Sequence, residues 1–210
     1  MRRRIGRILF TGTAAALAIG FGASSALAAA TLTVKVTGGG SFTATSTSTK
    51  LTDGAISLTC TSSKAGGSVP TKTYTSATSP VTVGSNSSLS FNTCTSITGA
   101  VTIKVNKLPY KVQTDSKTNT KGQTDGMITG INNSVSTTGC SFTVTGSAPG
   151  FYTNSTHTLT MTPKLPITPL NKAQLTVSGV NGCSGLVNNG DHPTFMGSYK
   201  LSRAVVIKSS

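Results

Sequence analysis

Apolar and polar residues alternate along this chain in short runs, and the runs recur every eight to twelve residues with turn signals between them. Leu32-Thr33-Val34-Lys35-Val36 has the period of a half-buried strand and stops at Gly38-Gly39-Gly40. Ser41 to Thr49 is nearly all Ser and Thr around Phe42 and Ala44, and Asp53-Gly54 marks a turn. Ile56-Ser57-Leu58-Thr59-Cys60 alternates again and is expected to end in a Gly/Ser-rich loop over Thr61 to Ser68. Val81-Thr82-Val83 and Leu89-Ser90-Phe91 read as two short strands, the second leading to Cys94.

Val101-Thr102-Ile103-Lys104-Val105 is the clearest alternating run of the first half, and Leu108-Pro109-Tyr110-Lys111-Val112 resumes after a bend. Thr114 to Asp125 holds no apolar residue, which predicts a long exposed hairpin or a seam between two halves near 113–126. Beyond it, Met127 to Ile131, Phe142 to Thr145 and His157 to Thr162 read as strands, with a turn from Gly146 to Gly150. Pro163, Pro166 and Pro169 mark an extended connection. Gln174 to Val180 and Tyr199 to Ile207 are the last expected strands. No stretch sustains a helical period. The pattern predicts an all-β fold, a disulfide-stapled antiparallel β-sandwich or barrel-like sandwich, with no substantial helix after the first 28 residues.

Those first residues have a pattern of their own. A cationic start (Arg2, Arg3, Arg4, Arg7) precedes an apolar Ala/Gly-rich run and Ala26-Leu27-Ala28, a small-x-small cleavage site. Residues 1–28 therefore read as an export signal for the general or the twin-arginine route, followed by one all-β domain over 29–210. Without those arginines the formal charge falls from +14 to +10, carried by thirteen lysines and Arg203 against four aspartates and no glutamate. Ser and Thr fill 66 of 210 positions, so hydroxyls rather than charges keep such a chain in water, and Thr favours strands.

Four cysteines in an exported chain predict two disulfides. Of three pairings, Cys60–Cys94 with Cys140–Cys183 is favoured, because each closes a moderate loop within one half. Zinc is disfavoured, since no two cysteines stand at C-x-x-C spacing.

Several short blocks, Phe91-Asn92-Thr93-Cys94, Leu108-Pro109-Tyr110, Gly139-Cys140-Ser141, Gly182-Cys183-Ser184-Gly185-Leu186 and Asn189-Gly190-Asp191 among them, resemble in their order a group of small secreted β-rich proteins from actinobacteria. The likeness runs over roughly 56–207, with Tyr110 standing where the group's pattern has a tryptophan. It implies export and paired cysteines, and it implies no activity.

The residue inventory limits the chemistry. A carboxylate pair for glycoside hydrolysis would have to come from Asp53, Asp115, Asp125 and Asp191, and the first three read as turn or loop residues. A Ser-His-Asp triad would need His157 or His192. Asp191 and His192 adjoin, but neighbours in extended chain face opposite sides, and no G-x-S-x-G elbow is present. Asn188, Asn189 and Asp191 gather oxygens on one loop, yet a single carboxylate suits a capped turn better than calcium. Lys104, Lys107, Lys111, Lys117 and Lys121 could meet an anionic polymer, but lysines also guard strand edges. The scarcity of arginine disfavours nucleic acid.

The expected function is thus a secreted, non-catalytic binding or structural protein of the cell exterior, without cofactor or metal and without membrane insertion once the signal is removed. Its expected partners are cell-wall polymer, glycan or another secreted protein. The expected contact loop includes Asn189, Asp191 and His192, pinned by Cys183. The alternative is a small extracellular enzyme or enzyme inhibitor with a loop-built site.

Overall fold

The computed structural model describes residues 31–54, 56–167 and 173–210, so the export signal expected over 1–28 lies outside the described residues. Fourteen strands account for almost all of the regular structure. They are β1 (Leu32–Thr37), β2 (Gly40–Ser46), β3 (Thr49–Asp53), β4 (Ile56–Val69), β5 (Lys72–Ser76), β6 (Val81–Ser96), β7 (Gly99–Val105) and β8 (Tyr110–Thr114). The second half supplies β9 (Gln123–Thr137), β10 (Cys140–Thr153), β11 (Thr158–Met161), β12 (Leu175–Gly182), β13 (Thr194–Leu201) and β14 (Val206–Ser209).

The antiparallel pairings of the larger sheet return to their start. From β10 they pass through β11, β13, the collinear pair β2 and β3, then β4, β6, the collinear pair β7 and β8, and β9, which pairs with β10 again. That ring makes the barrel-like form of the sandwich. Closure removes most free edges. The β7–β8 junction is the bend expected at Pro109, and the Leu108–Pro109 bond there is cis. A second sheet, β14-β1-β5, packs Val34, Val36 and Ile207 over Val69, Val81, Val83 and Tyr152, and so covers the barrel end where β4 and β10 finish. The two disulfides, Cys60–Cys94 and Cys140–Cys183, lie toward the other end and have the favoured pairing. No described cysteine is free, which fits folding in an oxidising, non-cytoplasmic environment.

Three expectations were displaced by bulges. Residues 61–68 form no loop but the middle of a 14-residue strand, and the two short runs near Val81 and Leu89 are one 16-residue strand. The turn expected over Gly146–Gly150 is the middle of β10. Each site carries a register shift, at Gly66/Gly67 and at Gly146/Ser147. Gly67 is required there because a Cβ would stand 2.1 Å from the Ser85 carbonyl oxygen, and Gly146 adopts φ +117° with Gln174 O 2.3 Å from where a Cβ would be. Glycines that look like breaks in the sequence here mark close backbone approach, opposite bulges at Ser87 of β6 and Gly130 of β9.

The apolar-free stretch 114–125 is exposed only around Lys117, Thr120 and Lys121 and is buried at both ends. Thr114, Ser116, Thr124 and Asp125 are all buried, Asp125 at 0 % exposure within β9 rather than in a turn. Its polar atoms are matched locally. Thr114 Oγ1 donates to Asp125 O at 3.0 Å, Asp125 N–H to Ser116 Oγ at 2.9 Å, and Ile167 N–H to Asp125 Oδ2 at 3.0 Å. Hydroxyls that satisfy backbone groups, and a backbone amide that satisfies the carboxylate, allow a polar segment to be buried at little cost.

Candidate functional site

Inside the ring the strands turn apolar side chains inward and hydroxyls outward. Along β6, Leu89 and Phe91 face in while Ser88, Ser90 and Asn92 are exposed; along β7, Ile103 faces in while Thr102 and Lys104 are exposed. A lipid-facing barrel has the opposite polarity. Among the described residues no helix is long and apolar enough to cross a membrane.

The inward side chains do not fill the ring. They line a cavity of about 140 Å3, with Leu51, Phe91 and Phe195 in its wall toward the disulfide end and Val205 and Ile207 on its floor. Phe91 and Phe195 meet edge to face, their centroids 6.2 Å apart. Cavities of roughly 150 Å3 lined by Leu, Ile and Phe stay dry and take up benzene-sized molecules. A cavity of this volume, holding nothing, would cost about 3 kcal/mol at roughly 24 cal/mol per Å3. That is a large share of an ordinary domain's stability.

Few polar groups line this wall. The Tyr152 hydroxyl donates outward to Val205 O at 2.7 Å, and Tyr199 and Ser63 share a 2.9 Å hydrogen bond. Burial pushes both phenols up to about 12, the Ser63 contact opposing it slightly at Tyr199. Tyr110 donates to Asn133 Oδ1 at 2.6 Å, and burial raises its pKa as well. Two side-chain oxygens in the wall have no hydrogen-bond partner, Thr49 Oγ1 and Asn86 Oδ1. No aspartate, histidine, lysine or arginine is part of the lining.

The expected contact loop lies outside this cavity and turns most of its polar atoms onto its own framework. Asp191 Oδ2 accepts from Asn188 N–H at 2.6 Å, the capped turn expected from the sequence. Asn189 Oδ1 accepts from Val180 N–H, Gly190 N–H donates to Val177 O, and Val177 N–H to Asp191 O. His192 Nδ1 lies 3.0 Å from Leu175 O. The loop thereby covers the outer edge of β12, the one long strand whose second side no other strand pairs among the described residues.

Sequence spacing could not reveal what the β3–β4 turn brings to this loop. Asp53, on the last residue of β3, faces Asp191, with His192 close enough to act on it. Burial first, then the Asp191 charge and the hydrogen bond between the two carboxyls, raises the Asp53 pKa above 3.8, while His192 opposes the rise. Asp53 Oδ2 is shut off from water and no donor reaches it. His157 turns away from any acid, its Nδ1 lying 3.2 Å from Val205 O. Among the described residues no cluster of three metal-ligating side chains forms. Lys104, Lys107, Lys111, Lys117 and Lys121 are all exposed. No known protein family, curated protein or solved structure matches the chain.

Proposed function

We propose that this is a secreted, non-catalytic binding protein of the cell exterior, and that its ligand is a small apolar molecule held inside the barrel. The observation that carries the reading is the apolar cavity of about 140 Å3 inside the barrel. The wall supports the non-catalytic part, since none of its side chains can exchange a proton near neutral pH. The disulfides support an oxidising destination, and the resemblance to secreted actinobacterial proteins agrees with it. The exposed lysines of β7, β8 and the segment after β8 suit loose contact with anionic cell-wall polymer. The rival reading, an extracellular enzyme or inhibitor, would centre on Asp53, Asp191 and His192, where two carboxyls and an imidazole meet.

Melting the oxidised protein with toluene tests the proposal. A ligand at about a hundred times its Kd adds roughly 2.7 kcal/mol, which raises Tm by about 5–10 °C in a chain of this length. Ala148, 1 % exposed and in the cavity wall, gives the control. Ala148→Leu fills the space and should abolish the rise. A wild-type Tm that toluene leaves unmoved contradicts the proposal.

A further inference from the structure

We infer that the barrel interior takes an aliphatic molecule built as one unbranched hydrocarbon chain, lying along the barrel axis. The inference rests on the interior being the binding site and goes on to name the shape and chemistry of what is held there.

The lining residues fix the length of the space. On β4 the wall runs from Cys60, at the disulfide end, to Val69, under the covering sheet. At about 3.3 Å per residue that is roughly 30 Å of strand, or roughly 20 Å along the axis once the tilt of barrel strands is allowed for. Two further strands agree, since Ile128 and Val135 both line the space from β9, and Val144 and Tyr152 from β10. Cys60 and Val69 have short side chains, so a space that touches both must itself run most of the distance between them. A volume of about 140 Å3 spread over that length leaves a narrow bore. A compact cavity of the same volume would touch only one level of each strand.

The wall offers a ligand almost only apolar contact. The Tyr152 and Tyr199 hydroxyls are engaged by Val205 O and by Ser63, and the unpartnered oxygens of Thr49 and Asn86 are too deeply enclosed to be touched from the interior. No ionised side chain lines the cavity. An extended peptide would leave its backbone groups unsatisfied there. A methylene chain has no such groups, and each methylene buried raises affinity about fourfold. A straight chain or a flat ring can enter a narrow bore, whereas a tert-butyl group is bulky in every direction.

Calorimetric titration of neutral alcohols into the oxidised protein, with toluene as the reference, tests the inference. Affinity should rise about fourfold per added methylene from n-butanol through n-hexanol and n-octanol to n-decanol. Neohexanol is an isomer of n-hexanol, with the same hydroxyl on a chain that ends in a tert-butyl group. It should bind about tenfold more weakly than n-hexanol, the usual effect of overpacking a confined space. If affinity stops rising at n-hexanol, or if neohexanol binds as tightly as n-hexanol, the inference falls, while toluene binding leaves the interior site standing. If neither toluene nor any of the alcohols binds the folded protein, the interior site falls as well.

Discussion

At the scale of single residues, the least expected feature is Asp53. In the sequence it is half of an Asp-Gly turn, and only the fold sets it against Asp191, 138 positions away, with His192 beside them. A carboxyl whose pKa is raised by folding stabilises the native state fully below its ordinary value of 3.8, and the benefit is lost as pH rises through the raised value. The protein should therefore gain stability on mild acidification. Asp53→Asn, which keeps the shape and cannot ionise, should raise Tm at neutral pH and flatten the pH dependence over that window. Melting curves of both proteins from pH 3 to 7 check this; a wild-type profile that falls toward acid in that window, unchanged by the substitution, contradicts the pairing. Asn86 and Thr49 were equally hidden. Each looks like one more polar residue in a chain rich in them, and what distinguishes them is a side-chain oxygen with no partner in an apolar wall.

At the scale of elements, alternation revealed the strands well wherever the backbone ran without a bulge, as in β1, β7 and the first turns of β4. It failed at Gly67 and Gly146, which lie opposite bulges at Ser87 of β6 and Gly130 of β9, because glycines that allow close backbone approach there are the same residue type that ends strands elsewhere. The stretch 114–125 failed for a different reason: its hydroxyls are buried by bonding one another and the backbone, which no hydropathy pattern reports. The loop carrying Asn189, Asp191 and His192 was expected to be a contact surface pinned by Cys183. Its visible work in the fold is to cover β12. That role can be measured. The Cys140–Cys183 link closes a loop of 43 residues, worth roughly 4 kcal/mol in the chain-entropy view. Replacing both cysteines by serine should lower stability by about that amount. It should also speed hydrogen exchange at Val177, Val180 and Asn188 far more than at Val34 on the covering sheet. Uniform acceleration across the molecule would mean that the loop is held without the disulfide.

At the scale of the whole molecule, the fold class and both disulfides were legible because they depend on period, cysteine count and loop length, all of which are local or countable. Ring closure was not. It depends on β9 pairing with β10 on one side and with β7 and β8 on the other, and on β13 bridging β11 to β2 and β3. Such long-range pairings leave no mark on a single sequence, and the cavity exists only through them. The barrel interior, rather than the Cys183 loop, is where the chain leaves volume that its side chains do not fill.

The most direct test of that claim is to locate the ligand. In methyl-labelled protein titrated with benzene, saturable shifts should fall on Ile103, Ile128, Ile131 and Val135, all of which line the cavity. Ile97, 82 % exposed at the β6–β7 turn, should not move. Shifts that fail to saturate, or that appear at Ile97 and spare the interior methyls, would contradict the account.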